Sequence, residues 1–375
     1  MAACKWRFSA LPLLTYMKYA PLRFSKTAIF GSPCRLSGQA PSRQKGAIGM
    51  IAADRRTDPV FIHSSFRVAS TWFWNRFRVI PETLSYFEIF NEALSDITRD
   101  QCLAYVFDRA ALRHPITEPY FLEYHDLVKP GGGVRGFPDG NPAARFVPVN
   151  GALSDQEIAY LNGLIAHADD KGRRPVLSST RSLARIGAIR RIWGNGHIFI
   201  YRNLLRHWVS YCRNSERGDD YFLKTIPHYA LHNRHDIVFA NINAMCENLY
   251  KIHNGRGALL CDGDSFVVFL VYHFYMYLQA VHFCDMTISI DRLAGDESYR
   301  RAIEDAIRGQ TGVAVDLSDA TLPAAGPVLE AGSGPQLRTI LETAKAMVAA
   351  SVQQTPLATH LGFIDGLIED CLSLA

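Results

Sequence analysis

The chain has 375 residues, of which 48% are hydrophobic and 20% are charged, so it can bury a large core and suits one large α/β domain or two smaller ones. The formal net charge is +4, but residues 1–53 contain eight Lys or Arg and no acid, which leaves 32 basic against 36 acidic residues in the remainder. The body of the protein therefore lacks the basic excess that binding to long nucleic acid requires.

Residues 1–53 form a basic extension that allows two interpretations. A basic, Ser-containing and acid-free stretch is typical of an organelle transit peptide. Alternatively, translation begins at Met50, just before the first predicted strand, and we favour this interpretation.

The apolar run at 266–284 is long enough to cross a membrane, but it carries the polar side chains of His273, Gln279 and His282. It therefore predicts a buried core helix, and we expect no transmembrane segment.

The cysteines and clustered histidines do not predict a metal site. The eight cysteines lack a Cys-x-x-Cys pair or a regular spacing, which predicts reduced thiols in a cytoplasmic protein and no zinc site. His228, His232 and His235 have the spacing of one helix face, but no acid accompanies them in a metal-binding motif. We therefore expect them to be partly buried histidines on a helix.

The segment "FIHSSFRVASTWFW", residues 61–74, predicts a strand, a hydroxyl-rich turn and a helix. The apolar run at 59–62 has the length of a buried strand, and Ser70 and Thr71 offer an N-cap for a helix that begins near Trp72. Free backbone N–H groups, the helix dipole, the hydroxyls and the charge of Arg67 then converge on one point. We expect an anion site that suits phosphate or sulfate.

A second segment repeats this arrangement. The run "HIFIY" at 197–201 predicts a buried strand that leads into Arg202, and a helix is predicted from Leu204 to Cys212, with Ser210 on its second turn. Open parallel sheets bind ligands at the carboxyl ends of their strands. Two such sites in one chain predict a ligand with two separated phosphates.

Together and in this order, the two segments resemble those of sulfotransferases that use 3′-phosphoadenosine 5′-phosphosulfate, in their bacterial and carbohydrate-type branch. In that family an R/K-[ST]-G-[ST]-T loop wraps the 5′-phosphosulfate, and an R-x7-S segment after a strand binds the 3′-phosphate. The matching residues are Arg67, Val68, Ala69, Ser70 and Thr71, followed by Trp72, for the loop, and Arg202 with Ser210 for the second segment. Val68 replaces a hydroxyl residue and Ala69 replaces the glycine, so the backbone at 69 is where the match departs most from the family.

The resemblance implies an α/β fold with a central parallel sheet flanked by helices, the P-loop NTPase-like sulfotransferase fold. It covers residues 54–320, after which we expect a linker at 321–334 and a C-terminal helical segment at 335–375. The implied co-substrate is 3′-phosphoadenosine 5′-phosphosulfate, with no metal, and the acceptor is a small molecule or glycan with a hydroxyl or amine. A nucleotide-binding protein of the nucleotide-kinase type, or an inactive binding module, is the alternative, although the chain has no Gly-Lys pair of the kinase P-loop.

Transfer also needs a base for the acceptor, and Glu88 is our choice. It follows the second predicted strand, "SYFEIF" at 85–90, and therefore lies at the same edge of the sheet as Arg67. Its aromatic neighbours would raise its pKa by desolvation towards neutral pH, and the family resemblance also implies a glutamate shortly after the loop. Glu92 is the second candidate, and a solvent-facing acid on an edge strand is the alternative interpretation.

Three arginines and a glycine-rich stretch are weaker candidates. Arg181 and Arg185 lie one turn apart before the strand predicted at 197–201, where they either reach the phosphosulfate or an anionic acceptor, or lie exposed on a helix. Arg256, between two glycines, either contacts the 3′-phosphate or belongs to a simple turn. The stretch "KPGGGVRGFPDGNP" matches G-x-G-x-x-G by letter, but its prolines exclude the helix that a dinucleotide fold needs, so we expect a mobile surface loop.

Overall fold

The computed structural model describes residues 58–104, 118–253, 255, 257–321 and 334–374, together with two short segments, Lys5–Trp6 and Val328–Leu329, which pair in parallel. Our expectations for Arg256, and for the remainder of the basic extension and the linker, lie outside the described residues. The described chain is an α/β fold with a central sheet of five strands.

The five strands of this sheet are all parallel. In chain order they are β1 Val60–Ser64, β2 Thr83–Tyr86, β3 Arg174–Ser179, β4 His197–Tyr201 and β5 Met286–Ser289. Their order across the sheet is β2-β3-β1-β4-β5, so β1 is central and pairs with β3 on one side and β4 on the other. Buried side chains cover both faces of the sheet, as parallel strands require.

The helices cover the sheet and extend the fold towards the C-terminus. In chain order they are α1 Ser70–Arg78, α2 Arg99–Ala104, α3 Asp155–Asp170, α4 Ile186–Trp193, α5 Leu204–Ser215, α6 Tyr221–His232, α7 Ile237–Ile252, α8 Gly263–Phe283, α9 Ile290–Gly295, α10 Glu297–Thr311, α11 Gly334–Val352 and α12 Leu361–Leu372. The helices α11 and α12 pack against α8.

The strands β1 and β4 form where the apolar runs predict them, but β2 is shorter than expected. The predicted strand at 85–90 is wrong beyond Tyr86, where β2 ends. The reason lies at Glu88, whose φ of 52° is left-handed and incompatible with an extended strand. The turn at 87–91 thereby directs the chain away from the sheet immediately after its carboxyl edge.

The long apolar helix α8 lies in the core. Most of its side chains are buried, and it packs against α7 and α11. In the described part of the chain it is the one helix long and apolar enough to cross a membrane, and 78% of that apolar window is buried inside the protein. This burial agrees with the core helix that the sequence predicts over 266–284.

One pair of cysteines differs from expectation. Cys212 on α5 and Cys261, just before α8, form a disulfide with 5.6 Å between their Cα atoms, a usual separation for such a bond. The prediction that all thiols are reduced is therefore wrong for this pair. Cysteines separated by 49 residues carry no local spacing signal, because only the packing of α5 beside α8 brings them together. The free cysteines of the described residues are Cys102, Cys246, Cys284 and Cys371.

Candidate functional site

The loop between β1 and α1 has two residues in a conformation that normally favours glycine. Arg67 has φ 63° and Ala69 has φ 64°, both left-handed. Ala69, and not Ser70 or Thr71 as predicted, is the N-cap of α1, and its methyl group offers no acceptor to the first turn. Each left-handed L-residue costs roughly 1–2 kcal/mol. The loop thus has a glycine-like backbone at 69, at a cost in stability.

Two buried histidines hold the first residues of this loop. His273 of α8 faces the Phe269 carbonyl through Nδ1 at 2.8 Å, so its Nδ1 carries the proton and its Nε2 accepts from Ser65 Oγ at 2.9 Å. His207 of α5 donates from Nε2 to the Phe66 carbonyl. Burial lowers the pKa of His207 and lowers the pKa of His273 to about 3, which keeps both rings neutral. The sequence offers one signal for this role, a histidine inside an apolar run.

The two predicted phosphate segments lie in direct contact. Arg67 donates from Nε to Ser210 Oγ at 3.2 Å, and Arg202 donates from Nη1 to the backbone carbonyl of Arg67 at 3.1 Å. Arg202 also lies 4.0 Å from Asp291 Oδ1. Burial lowers the pKa of Arg67, but an ordinary arginine pKa above 12 leaves it cationic at neutral pH. Two arginines and a serine hydroxyl from distant parts of the chain therefore form one cationic cluster.

This cluster lies between two neighbouring strands, β1 and β4, from which the chain continues in opposite directions across the sheet. From β1 the chain passes to β2 on one side of the sheet, whereas from β4 it passes to β5 on the other side. The carboxyl ends of β1 and β4 consequently border a crevice, and such crevices are the general ligand sites of open α/β sheets. Arg67 and Arg202 follow these two strands and flank the crevice.

The remaining loop residues differ in what they can offer a ligand. Val68 is fully buried and packs in the core with Trp72, whose Nε1 donates to Asp319 Oδ1 at 3.1 Å. These two side chains therefore belong to the fold, and any contact that Val68 makes with an anion has to come from its backbone. Ser70 is mostly buried and Thr71 is half-buried at the start of α1.

Glu88 lies at the carboxyl edge of the sheet, as predicted, but it is buried and already paired. Its Oε1 accepts from the Thr180 backbone N–H at 3.2 Å, and its Oε2 accepts from Arg181 Nη1 at 2.7 Å. Burial raises the pKa of Glu88, and Arg181 and Thr180 oppose that rise. A carboxyl with a raised pKa that is held at a strand end suits a general base near neutral pH.

Arg181 joins Glu88 to the second candidate acid. Its Nε donates to Glu92 Oε1 at 3.2 Å, its Nη2 lies 2.9 Å from Glu92 Oε2, and its Nη2 donates to Tyr221 Oη at 2.7 Å. The guanidinium carbon also lies 5.0 Å from the centre of the Phe66 ring, in the β1–α1 loop. The buried guanidinium therefore contacts both candidate acids and the β1–α1 loop.

A cleft of 890 Å³ opens beside this arginine. Among the residues that line it are Glu92, Tyr221, Lys224, His228 and Asn141. Glu88 is not part of the lining, whereas the Glu92 side chain is 45% exposed. The cleft thus borders the Arg181 cluster through Glu92 and Tyr221, and its size suits a small-molecule ligand.

The other candidates separate into structural and surface residues. Arg185 is buried, where it donates to the carbonyls of Arg181 and Pro142 and lies 3.5 Å from Glu157, so it supports the fold and is not an exposed helix residue. The glycine-rich stretch starts no α-helix and leads into a short 3-10 helix at Pro142–Arg145, and Val134 within it pairs with Val128 and is fully buried.

The three histidines at the end of α6 are exposed, contrary to the predicted partial burial. The rings of His228 and His232 stack edge to face with 4.6 Å between their centres, while His235 lies beyond the helix near the Val147 carbonyl. Within the described ranges, no group of three or more His, Cys, Asp or Glu side chains is arranged to hold a metal ion.

Comparison with known proteins identifies no relative, since no family model, curated protein or solved structure matches the chain.

Proposed function

We propose that the protein is a sulfotransferase that moves a sulfuryl group from 3′-phosphoadenosine 5′-phosphosulfate to a hydroxyl or amine of a small-molecule or glycan acceptor. The observation that carries the proposal is the contact between the two phosphate segments, in which Arg67 bonds Ser210 and Arg202 bonds the Arg67 carbonyl. Arg202 and Ser210 lie 135 and 143 positions after Arg67 in the sequence, and the three residues form one cationic cluster at the crevice between β1 and β4. A donor with two separated phosphates needs such a cluster.

The donor-binding roles follow from where each group lies. The loop amides with Ser70 and Thr71 bind the 5′-phosphosulfate at the start of α1, where the helix dipole favours an anion. Arg67 neutralises the charge that develops on the departing 5′-phosphate, and Arg202 with Ser210 binds the 3′-phosphate. The P-loop-like fold that the sequence resembles is part of this proposal.

The acceptor-binding roles belong to the cleft beside Arg181. We assign the acceptor to the 890 Å³ cleft, because this cleft ends at the group of side chains that includes Glu88. The acceptor oxygen or nitrogen attacks sulfur, the bond from sulfur to the 5′-phosphate oxygen breaks, and Glu88 takes the acceptor proton. The products are a sulfate ester or sulfamate and adenosine 3′,5′-bisphosphate.

A catalytically inactive nucleotide-binding module is the second candidate, and one observation favours it. Val68 stands where the family has a hydroxyl residue and is fully buried, so the loop offers the sulfuryl group one side-chain donor fewer. Such a module would bind adenosine 3′,5′-bisphosphate and turn nothing over. Binding alone does not separate the two functions, but turnover does.

The experiment is a comparison of lipid, polysaccharide and small-molecule extracts from cells with and without the gene, by sulfate-targeted mass spectrometry. Fractions whose sulfated species depend on the gene are then desulfated and incubated with the purified protein and 3′-phosphoadenosine 5′-phosphosulfate. A sulfated product that forms with the wild-type chain and not with Arg67→Ala supports the sulfotransferase. Donor binding without any product in any fraction supports the inactive module.

A further inference from the structure

The guanidinium of Arg181 is the point where four segments of the chain meet. It follows β3 and contacts Glu88 from the turn after β2, Glu92 from the next turn, Tyr221 from the start of α6 and Phe66 from the β1–α1 loop. Its side chain is only 6% exposed. A buried guanidinium that uses all three nitrogens in this way is fixed in place, and it fixes its partners.

We propose that Arg181 is a positioning residue for Glu88, which holds the Glu88 carboxylate at the carboxyl edge of the sheet and links it to the cleft wall formed by Glu92 and Tyr221. The inference rests on the proposed function, in which Glu88 accepts a proton from the acceptor. In this role Arg181 touches neither donor nor acceptor and acts through Glu88.

The first consequence concerns the charge of Glu88. Within the described residues, the donors that face its carboxylate belong to Arg181 and Thr180, while Glu92 and Tyr221 contact the same guanidinium. Burial by itself raises the pKa of Glu88, and the nearby guanidinium opposes that rise. Without the guanidinium, Thr180 alone would oppose the effect of burial, so the pKa of the carboxyl would rise further and its protonated form would be favoured. A protonated Glu88 cannot accept the acceptor proton.

The second consequence concerns Glu92, whose role differs from that of Glu88. Glu92 shares the same guanidinium, but its side chain is 45% exposed, whereas that of Glu88 is 7% exposed. Solvent can therefore replace the contact between Glu92 and Arg181, but it cannot replace the contact that the buried Glu88 makes.

The test is a titration of Glu88 that needs neither donor nor acceptor. The full chain is labelled with ¹³C at glutamate side-chain carboxyls, and the Glu88 resonance is assigned by its loss in Glu88→Gln. We expect Arg181→Met to raise the apparent pKa of Glu88 by about 1–3 units, the usual effect of removing an adjacent arginine. Arg190→Met is the matched control, because Arg190 pairs with Asp285 at 2.6 Å at the opposite edge of the sheet. It should leave the Glu88 titration unchanged.

Two further measurements keep the test decisive. If Arg181→Met does not fold, Arg181→Gln carries the same expectation with a side chain of closer polarity. A carboxyl whose folded pKa is raised contributes stability below its unfolded pKa of about 4.3, and that stability is lost as pH rises through the folded pKa. The free energy of unfolding of the variant should therefore fall relative to wild type as pH rises above about 4.3. A Glu88 pKa that is the same in wild type and in the folded variant overturns the proposal.

Kinetics separate this inference from the proposed function. If an acceptor is found, Arg181→Met should move the acidic limb of the kcat/KM–pH profile upward by the same 1–3 units, whereas a merely structural loss would lower activity equally at every pH. Absence of turnover in the wild-type chain would overturn the sulfotransferase proposal and leave the titration result intact. If the wild-type chain shows turnover but the Glu88 pKa is the same in Arg181→Met, the role of Arg181 is overturned and the sulfotransferase proposal is not.

Discussion

Single residues at the β1–α1 loop carry both conformational strain and the predicted anion contacts. Ala69 is exposed and its φ is left-handed, so its methyl group adds no buried apolar surface and its backbone conformation destabilises the folded state. Arg67 is left-handed as well, yet its guanidinium is fixed by Ser210. Strain of this kind persists only where the surroundings enforce it, and here His207 and His273 hold the residues immediately before it.

Ala69→Gly should therefore stabilise the protein. Glycine adopts a positive φ without penalty, although it also gains entropy in the unfolded chain, so we expect a net increase of about 0.5–1 kcal/mol in the free energy of unfolding. Ala302→Gly, at an exposed position inside α10, is the matched control and should destabilise by about 1 kcal/mol. Urea denaturation measures both. A loss of stability at 69 equal to that at 302 would show that the loop does not hold Ala69 in this conformation.

The two arginines of the cationic cluster should be distinguishable by ligand. Removing a hydrogen bond to a charged group costs roughly 1.5–3 kcal/mol, which corresponds to about 10- to 150-fold in affinity. Arg67→Ala and Arg202→Ala should each weaken adenosine 3′,5′-bisphosphate by that factor in isothermal titration calorimetry. Adenosine 5′-monophosphate lacks the 3′-phosphate and should be nearly insensitive to Arg202→Ala. Equal losses for both nucleotides would remove Arg202 from the 3′-phosphate site.

Glu88 should affect turnover and leave donor binding unchanged. Glu88→Gln keeps the size of the side chain, but its single carbonyl oxygen can accept from Thr180 or from Arg181 and not from both, and it cannot take a proton. General-base catalysis contributes about 10²–10⁴ in rate. We expect kcat to fall by that factor while the affinity for the bisphosphate changes by less than about threefold. Glu92→Gln should have a much smaller effect on kcat. The opposite ranking of the two variants would assign the base to Glu92, which lines the cleft.

At the scale of elements, α5 connects most of the site to the rest of the fold. It carries Ser210, which bonds Arg67, and His207, which donates to the Phe66 carbonyl. It also carries Cys212, whose disulfide with Cys261 ties it to the segment that precedes α8. Pro227 within α6 leaves the Leu223 carbonyl without its helical partner, and Leu259 N–H donates to that carbonyl at 3.1 Å. The segment before α8 is thus attached to both α5 and α6.

Reduction of the disulfide should lower stability. Closing a loop of 49 residues in the unfolded chain predicts a contribution of about 4 kcal/mol in the chain-entropy treatment, and typical measured values are 2–4 kcal/mol. We expect Cys261→Ser, at the exposed end of the bond, to reduce the free energy of unfolding by about 2–4 kcal/mol in guanidinium denaturation. Cys284→Ser, at a free cysteine, is the control. Identical midpoints for wild type with and without dithiothreitol would contradict this prediction.

At the scale of the whole molecule, the core contains buried histidines from several elements. His63 of β1 bonds His197 of β4 through a 2.9 Å contact between Nε2 and Nδ1, while His207 and His273 hold the loop. Burial lowers the pKa of all four, to about 4 for His197 and about 3 for His273. The folded protein therefore keeps these rings neutral at a pH where the unfolded chain would protonate them.

This difference predicts acid sensitivity. A group whose folded pKa lies below its unfolded value contributes stability above the unfolded pKa of about 6.5 and loses it as pH falls towards the folded pKa. Each such histidine adds up to about 1.4 kcal/mol of loss per pH unit in that window. Urea denaturation should show a marked fall in the free energy of unfolding between pH 7 and about pH 4. His235→Ala, at an exposed histidine, is the control and should leave the pH dependence of the free energy of unfolding unchanged. A free energy of unfolding that does not vary between pH 7 and about pH 4 would contradict the neutral state of the buried histidines.

Several features follow from the sequence alone because they depend on neighbours within a few residues. The apolar runs predict β1 and β4, the polar residues inside an apolar run predict a buried α8, and Ser154 with Glu157 predicts the capping box that begins α3. Strand-to-helix turns follow from the same local pattern, which is why Arg67 and Arg202 are both expected at the carboxyl edge of a parallel sheet. Their roles towards a donor stay predictions.

Only the tertiary structure decided which residues that are distant in the sequence come into contact. The bonds from Arg67 to Ser210, from Arg181 to Glu88 and from Ser65 to His273 join residues 93–208 positions apart, and no periodicity encodes such a pairing. The backbone at Ala69 was likewise beyond local rules, because alanine disfavours a positive φ and adopts it here only where the loop enforces it. Strand order and helix packing determine these contacts, since burial of the whole core outweighs the preference of any one residue.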